Sequence, residues 1–217
     1  MSLTYGDITG VALNRKNFLS SLGINYKDLI CAKQVHGNSV RYVSEEHKGR
    51  GALAYEASIP DTDGFITDIR NLPLAIFTAD CLSIFLYDPQ KPAIGLVHAG
   101  WRSTKAGIIA CALELMQSKF KADPGQLLVG FGPCLRSCCY EVSGDFRNNF
   151  ASGLVERGKR LYLDLAQVNK KQLMDSGAKQ ENISDSGVCT YCGPQDFFSF
   201  RREQEASGRM LSVIMLK

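Results

Sequence analysis

Leu74-Ala75-Ile76-Phe77-Thr78-Ala79-Asp80-Cys81-Leu82-Ser83-Ile84-Phe85-Leu86-Tyr87 carries most of the architectural information in this chain. Residues 74–78 and 82–87 are apolar and rich in branched or aromatic side chains, so both read as strands. Near-continuous apolar strands of this kind are buried on both faces. Between them, the polar pair Asp80-Cys81 interrupts a core-like run. A local inconsistency of that sort marks a candidate site.

Reading outward, residues 64–67 and 93–97 form two more apolar strands of the same type. The spacing of Ile108, Ile109, Ala112, Leu115 and Met116 predicts a helix over 103–119, with Ser103 or Thr104 as its cap. Asp123-Pro124-Gly125 is a turn, and 126–131 is another buried strand. The second half alternates: a helix at 143–153, a strand at 161–163, a helix at 165–176 and a final strand at 210–216. On the N-terminal side, residues 11–22 form a short amphipathic helix stopped by Gly23. Strands follow at 29–34 and 39–43, then a charged, aperiodic loop at 44–60. The class is α+β with a mixed sheet, and periodicity leaves the strand order open. No repeat or linker divides the chain, so residues 1–217 are read as one domain.

The bulk numbers exclude several classes. With 45% hydrophobic and 22% charged residues, the 217-residue chain is ordinary globular protein and can bury a core without disulfides. A net charge of +3, with scattered basic residues, argues against a nucleic-acid partner. No apolar run approaches the roughly 20 residues that span a bilayer, and the start lacks a signal-peptide pattern. The expectation is a cytoplasmic protein in which most of the eight cysteines are free thiols, ligands or nucleophiles. The oligomeric state is left open.

Three histidines are present: His36, His47 and His98. His47 lies in the charged loop and reads as a solvated side chain. His36 and His98 each end a strand and are followed by glycine or Ala-Gly, where a side chain can project into a cleft while the backbone turns away. With Cys81 they make two imidazoles and one thiolate, a donor set suited to Zn²⁺ that leaves a fourth position for water or substrate. The alternatives are buried, hydrogen-bonded histidines and a core thiol, or a Cys81/His98 nucleophile–base dyad of a cysteine hydrolase. Metal content separates the dyad from the metal site. Trp101 and Arg102 follow His98 directly, and Arg102 could hold phosphate or ribose. Asp80 could orient a ligand, and Asn38 and Cys134 are further lining candidates. The Arg201-Arg202 pair reads as a solvated face. Cys189-x-x-Cys192 could join Cys134-x-x-x-Cys138 in a Cys₄ site, but reduced thiols near a core are the favoured reading.

Lys33-Gln34-Val35-His36-Gly37, Thr78-Ala79-Asp80-Cys81-Leu82 and Val97-His98-Ala99-Gly100-Trp101-Arg102, in that order, resemble the YfiH-like family. Its members carry the names laccase-domain or multicopper polyphenol oxidase protein, peptidoglycan editing factor and purine nucleoside phosphorylase. Phe131-Gly132-Pro133-Cys134, Cys138-Cys139-Tyr140-Glu141-Val142, Cys189-Thr190-Tyr191-Cys192, Phe197–Arg202 and Gly208-Arg209-Met210 extend the likeness across residues 3–217. The resemblance implies a sandwich of mixed β-sheets with outer helices, and one zinc ion on His36, Cys81 and His98. It implies phosphorolysis of purine nucleosides (adenosine, inosine, guanosine or methylthioadenosine) by phosphate, with adenosine deamination beside it. Family members usually begin with a Thr-Arg segment and a Gly-Gly-x-Ser turn, and this chain starts just after them, without that arginine. Multicopper oxidase chemistry is set aside on ligand count, because it needs many more histidines than three. A polyphenol oxidase and a non-enzymatic binding module remain as alternatives.

Overall fold

A computed structural model describes residues 1–4 and 8–217. Its centre is a mixed six-stranded sheet. The strands that build it are β2 (Val40–Tyr42), β3 (Gly64–Thr67), β5 (Leu82–Asp88), β6 (Ala93–Ala99), β7 (Leu128–Phe131) and β11 (Ile183–Asp185), in the order β11-β7-β5-β6-β3-β2. A three-stranded sheet of β1 (Ile30–Cys31), β4 (Leu74–Thr78) and β12 (Met210–Ile214) lies against it. A third small sheet joins β8 (Glu141–Val142), β10 (Arg160–Leu163) and β9 (Leu154–Arg157).

Side-chain parity explains the layers. Along β6, Ala93, Val97 and Ala99 join one core cluster while Ile94 and Leu96 join another. Along β5, Leu82, Ile84 and Leu86 face the first cluster and Phe85 and Tyr87 the second. The alternation is real but invisible as polarity, because both faces of the large sheet are apolar. The first face is covered by α3 (Ile108–Phe120) and α4 (Leu165–Asp175), through Ile108, Ala112, Met116, Leu165 and Leu173. The second packs on Leu74 and Ile76 of β4. The far side of β4, Ala75 and Phe77, meets Leu19 of α1 (Ile8–Ser21). Helix, small sheet, large sheet and helices therefore stack as the expected sandwich of mixed sheets with outer helices.

Two helix expectations fail. Gly107, at φ +77°, splits the predicted 103–119 helix into α2 (Trp101–Lys105) and α3. Gly100 rather than Ser103 or Thr104 is the N-cap of α2. Both predicted caps are buried, and Thr104 exchanges hydrogen bonds with Asn169 of α4. The predicted helix at 143–153 is a 3₁₀ turn, Gly144–Asn148, followed by β9. Gly153, just before β9, sits at φ +77°, and a Cβ there would lie 2.3 Å from Cγ2 of Val168, so this turn into the strand requires glycine. A short helix, α5 (Phe200–Glu203), precedes β12. Among the described residues no helix is long and apolar enough to cross a membrane.

Candidate metal centre

β4 and β5 are neighbours in sequence but belong to different sheets. Residues 79–81 are the crossing point, and the sharp turn places Asp80 at φ +84°. A residue other than glycine in that region is uncommon and is held there by its contacts. The Asp80 carboxylate accepts from Oγ1 of Thr190 at 2.6 Å and from the backbone N–H of Arg201 at 2.6 Å. Cys81 is thereby delivered to the gap between the sheets. His98, on β6, has the parity of Ile94 and Leu96 and faces the same gap. His36 follows β1 at φ +59°, a second left-handed residue. The donor atoms of His36, Cys81 and His98 lie within 4.8 Å of one another. The two imidazole rings meet edge to face, with centroids 4.8 Å apart.

The sequence reading missed the residue that organises this cluster. Asp63, fully buried just before β3, accepts from the backbone N–H groups of Val35 (3.2 Å), His36 (3.0 Å) and Gly37 (2.8 Å). The same carboxylate lies 2.8 Å from Nδ1 of His98. Nδ1 so engaged leaves Nε2 as the nitrogen available to the cluster, the arrangement typical of carboxylate-oriented histidine ligands. A signal existed in the sequence: Asp61-Thr62-Asp63 is an acidic break directly before an apolar strand.

Charge is concentrated here. Burial alone would push the Cys81 thiol up, but the facing His98 and His36 outweigh it and bring it down to about 6. Burial alone would lower His98, yet Cys81 and Asp63 outweigh that and hold it well above its ordinary value. A thiolate facing two imidazoles, one backed by a carboxylate, is a favourable receptor for a divalent cation. The close donor spacing and the carboxylate behind His98 both fit a metal held by His36, Cys81 and His98.

The cluster opens on a cavity of about 610 Å³. Asp80, Trp101 and Arg102 line it as expected. The Arg102 guanidinium stacks on the Trp101 ring at 4.3 Å and, among the described residues, makes no hydrogen bond or ion pair. Tyr140, Arg201 and Arg209, not singled out from sequence as lining residues, also contribute. Two expected lining residues do not. Asn38 is exposed and donates from Nδ2 to the carbonyl of Ala106 at 2.9 Å. Cys134 is fully buried and does not line the cavity, and burial pushes its thiol up to about 12. His47 lies apart in its own 3₁₀ turn, accepting from the backbone N–H of Ser44. Arg201 and Arg202 are not a solvated face. Both are half-buried, and Arg202 donates to the carbonyls of Thr190, Tyr191 and Phe197.

Comparison with known proteins places the chain in a family. The model for "Multi-copper polyphenol oxidoreductase laccase" matches residues 1–217. The chain is 34% identical over 221 residues to the Bacillus subtilis protein named purine nucleoside phosphorylase YlmD, covering 95% of this chain and 77% of that protein. It is 28% identical over 212 residues to a protein named as an adenosine deaminase, from an unknown prokaryotic organism, covering 94% and 80%. The crystal structure of YlmD from Geobacillus stearothermophilus superposes with a TM-score of 0.93 at 32% identity, covering 97% of this chain and 82% of that one. The Bacillus licheniformis hypothetical protein YfiH superposes with a TM-score of 0.92 at 31% identity, covering 97% and 82%. The sheet-crossing cysteine, His98 near the end of β6, His36 in the loop after β1 rather than at a strand end, and the four-layer sandwich are thus set in a chain that belongs to the YfiH-like, laccase-domain family.

Proposed function

We propose that this protein is a zinc-dependent purine nucleoside phosphorylase with accompanying adenosine deaminase activity. The observation that carries the reading is a His36–Cys81–His98 cluster opening on a cavity that also presents the guanidinium of Arg102, unpaired among the described residues. The names of relatives, purine nucleoside phosphorylase and adenosine deaminase, point the same way. The cavity volume of about 610 Å³ is that of a small-molecule site. Eight cysteines serving as thiols and ligands suit the cytoplasm.

When bound at His36, Cys81 and His98, a zinc ion supplies Lewis-acid chemistry: it lowers the pKa of water and offsets negative charge. The chain's own side chains do the rest. Arg102, pre-stacked on Trp101, binds the phosphate dianion by charge-assisted hydrogen bonds. Asp63 holds His98 in one tautomer. Tyr140 lines the wall, and burial, aided by the nearby Cys81, raises its phenol, so it stays a neutral hydrogen-bond donor. In phosphorolysis a phosphate oxygen forms a bond to C1′ of the ribose as the C1′–N9 bond breaks, and the base leaves with a proton. In deamination water adds at C6 of adenosine and ammonia leaves.

The purified protein, assayed with adenosine and phosphate, should yield adenine and ribose 1-phosphate, and inosine slowly when phosphate is withheld. Metal analysis should find zinc, which is lost in the separate His36→Ala, Cys81→Ala and His98→Ala variants at this site. A zinc-loaded sample that turns over no purine nucleoside, with or without phosphate, would overturn the assignment.

The Asp63–His98–Cys81 alignment favours one other reading, a thiol hydrolase with a Cys-His-Asp triad. That chemistry needs no metal. Hydrolytic activity that survives full metal removal, and is abolished by alkylating Cys81, would establish it instead.

A further inference from the structure

Four cysteines meet at a second place, in a cluster that shares no donor with His36, Cys81 and His98. The donor sulfurs of Cys138, Cys139, Cys189 and Cys192 all lie within 4.8 Å of one another. They come from two stretches of chain, the turn before β8 and the loop after β11, joined by a backbone bridge between Cys134 and Cys189. This quartet corrects the sequence pairing in two ways. Cys139 takes the place assigned to Cys134, which is buried apart. Cys138 and Cys192 are exposed, so these are not thiols tucked against a core.

We propose that Cys138, Cys139, Cys189 and Cys192 form a closed tetrathiolate site for a structural zinc ion. The geometry is the argument. Zn–S bonds of about 2.3 Å at tetrahedral angles put ligand sulfurs about 3.8 Å apart. The Cys138–Cys192 sulfurs are 3.8 Å apart and the Cys139–Cys192 sulfurs 3.5 Å apart. Two of the six sulfur pairs have this spacing and all six lie within 4.8 Å, which fits a tetrahedron closing around one ion. Four protein ligands leave no open position, which makes the site structural rather than catalytic.

The place in the fold says what such an ion holds. Thr190, between the two cysteines of the second loop, donates to Asp80, the neighbour of Cys81. Arg202 anchors the same loop through the carbonyls of Thr190 and Tyr191. Tyr140 and Arg201, which follow the two cysteine segments, line the cavity and stack at 5.3 Å. The zinc would clamp the two segments that form this wall.

The test is metal counting, and it separates this site from the one at His36. Zinc-replete protein should hold about two ions per chain. A Cys138→Ser, Cys192→Ser variant, altered only at exposed positions, should hold about one and weaken nucleoside binding, seen in KM. A His36→Ala, Cys81→Ala variant should keep about one, whatever becomes of the nucleoside reaction. That ion should show the intense thiolate-to-cobalt charge-transfer absorption on cobalt substitution. This second measurement decides the matter even if the cysteine variant fails to fold. A His36→Ala, Cys81→Ala variant free of zinc would overturn the proposal. So would a disulfide between the two segments, found by non-reducing peptide mapping of protein purified without oxidant.

Discussion

Oδ1 of Asp63 lies 2.8 Å from Nδ1 of His98, and both side chains are out of solvent. The same carboxylate collects three successive backbone N–H groups around His36. One buried acid therefore orients two of the three proposed ligands, one through its ring and one through its backbone. Asp63→Asn preserves the shape but replaces one acceptor oxygen by a donor. We expect metal affinity to fall about 10–100-fold with the fold intact. Chelator competition measures this, and wild-type affinity in the variant would remove Asp63 from the site.

Gly100 tests the site from the other side. Its φ of −77° is open to any residue, so only space restricts it. A Cβ at Gly100 would lie 3.0 Å from Sγ of Cys81 and 3.0 Å from Cδ2 of His36. Gly100→Ala should therefore displace ligands at a cost of about 1–3 kcal/mol, about five- to over a hundredfold in metal affinity. Thermal unfolding of the metal-free proteins should differ much less than that of the metal-loaded ones. Equal shifts in both would mean that the residue only packs.

Arg102→Ala should depress phosphorolysis about ten- to over a hundredfold, the worth of one charge-assisted hydrogen bond. Deamination uses no phosphate and should fall far less. The two rates, measured on the same preparation, give the ratio. Equal losses would assign Arg102 a structural role and move the phosphate contact to Arg201 or Arg209, which line the same cavity.

Cys31 predicts an alkaline weakness. Burial pushes its thiol from 9.0 up to about 12, against the opposing pull of Arg15. The folded chain then keeps a proton that the unfolded chain releases, so the unfolded state gains as pH rises above about 9, and stability falls towards about 12. Cys31→Ala, despite its own cavity cost, should flatten the slope of urea stability against alkaline pH. Cys31 in the native protein should also resist alkylation at neutral pH, because the thiol is both protonated and buried. Rapid native labelling would contradict both.

The sequence alone marked the strand-rich centre, the helices α3 and α4, and His36, Cys81 and His98 as candidates, because each rests on local information; the family resemblance made those three a ligand set. Apolar runs mark β4, β5 and β6, and polar breaks at strand ends mark His36, Cys81 and His98. It could not show that β4 and β5 lie in different sheets, since apolar runs buried on both faces carry no polarity to say which layer they join. That crossing is what brings Cys81 opposite His98. The helix expected over 103–119 failed where Gly107, at positive φ, interrupted a pattern that side-chain spacing continued. Arg201 and Arg202 looked like surface charge because only tertiary folding supplies the carbonyls and aromatic rings that hold them. The role of Asp63, and the presence of Cys139 rather than Cys134 beside Cys138, Cys189 and Cys192, were decided by tertiary structure. The partners are 26 or more residues away in the Asp63 contacts and 53 or 54 in the measured sulfur pairs, separations at which spacing carries no geometry until the sheets are packed.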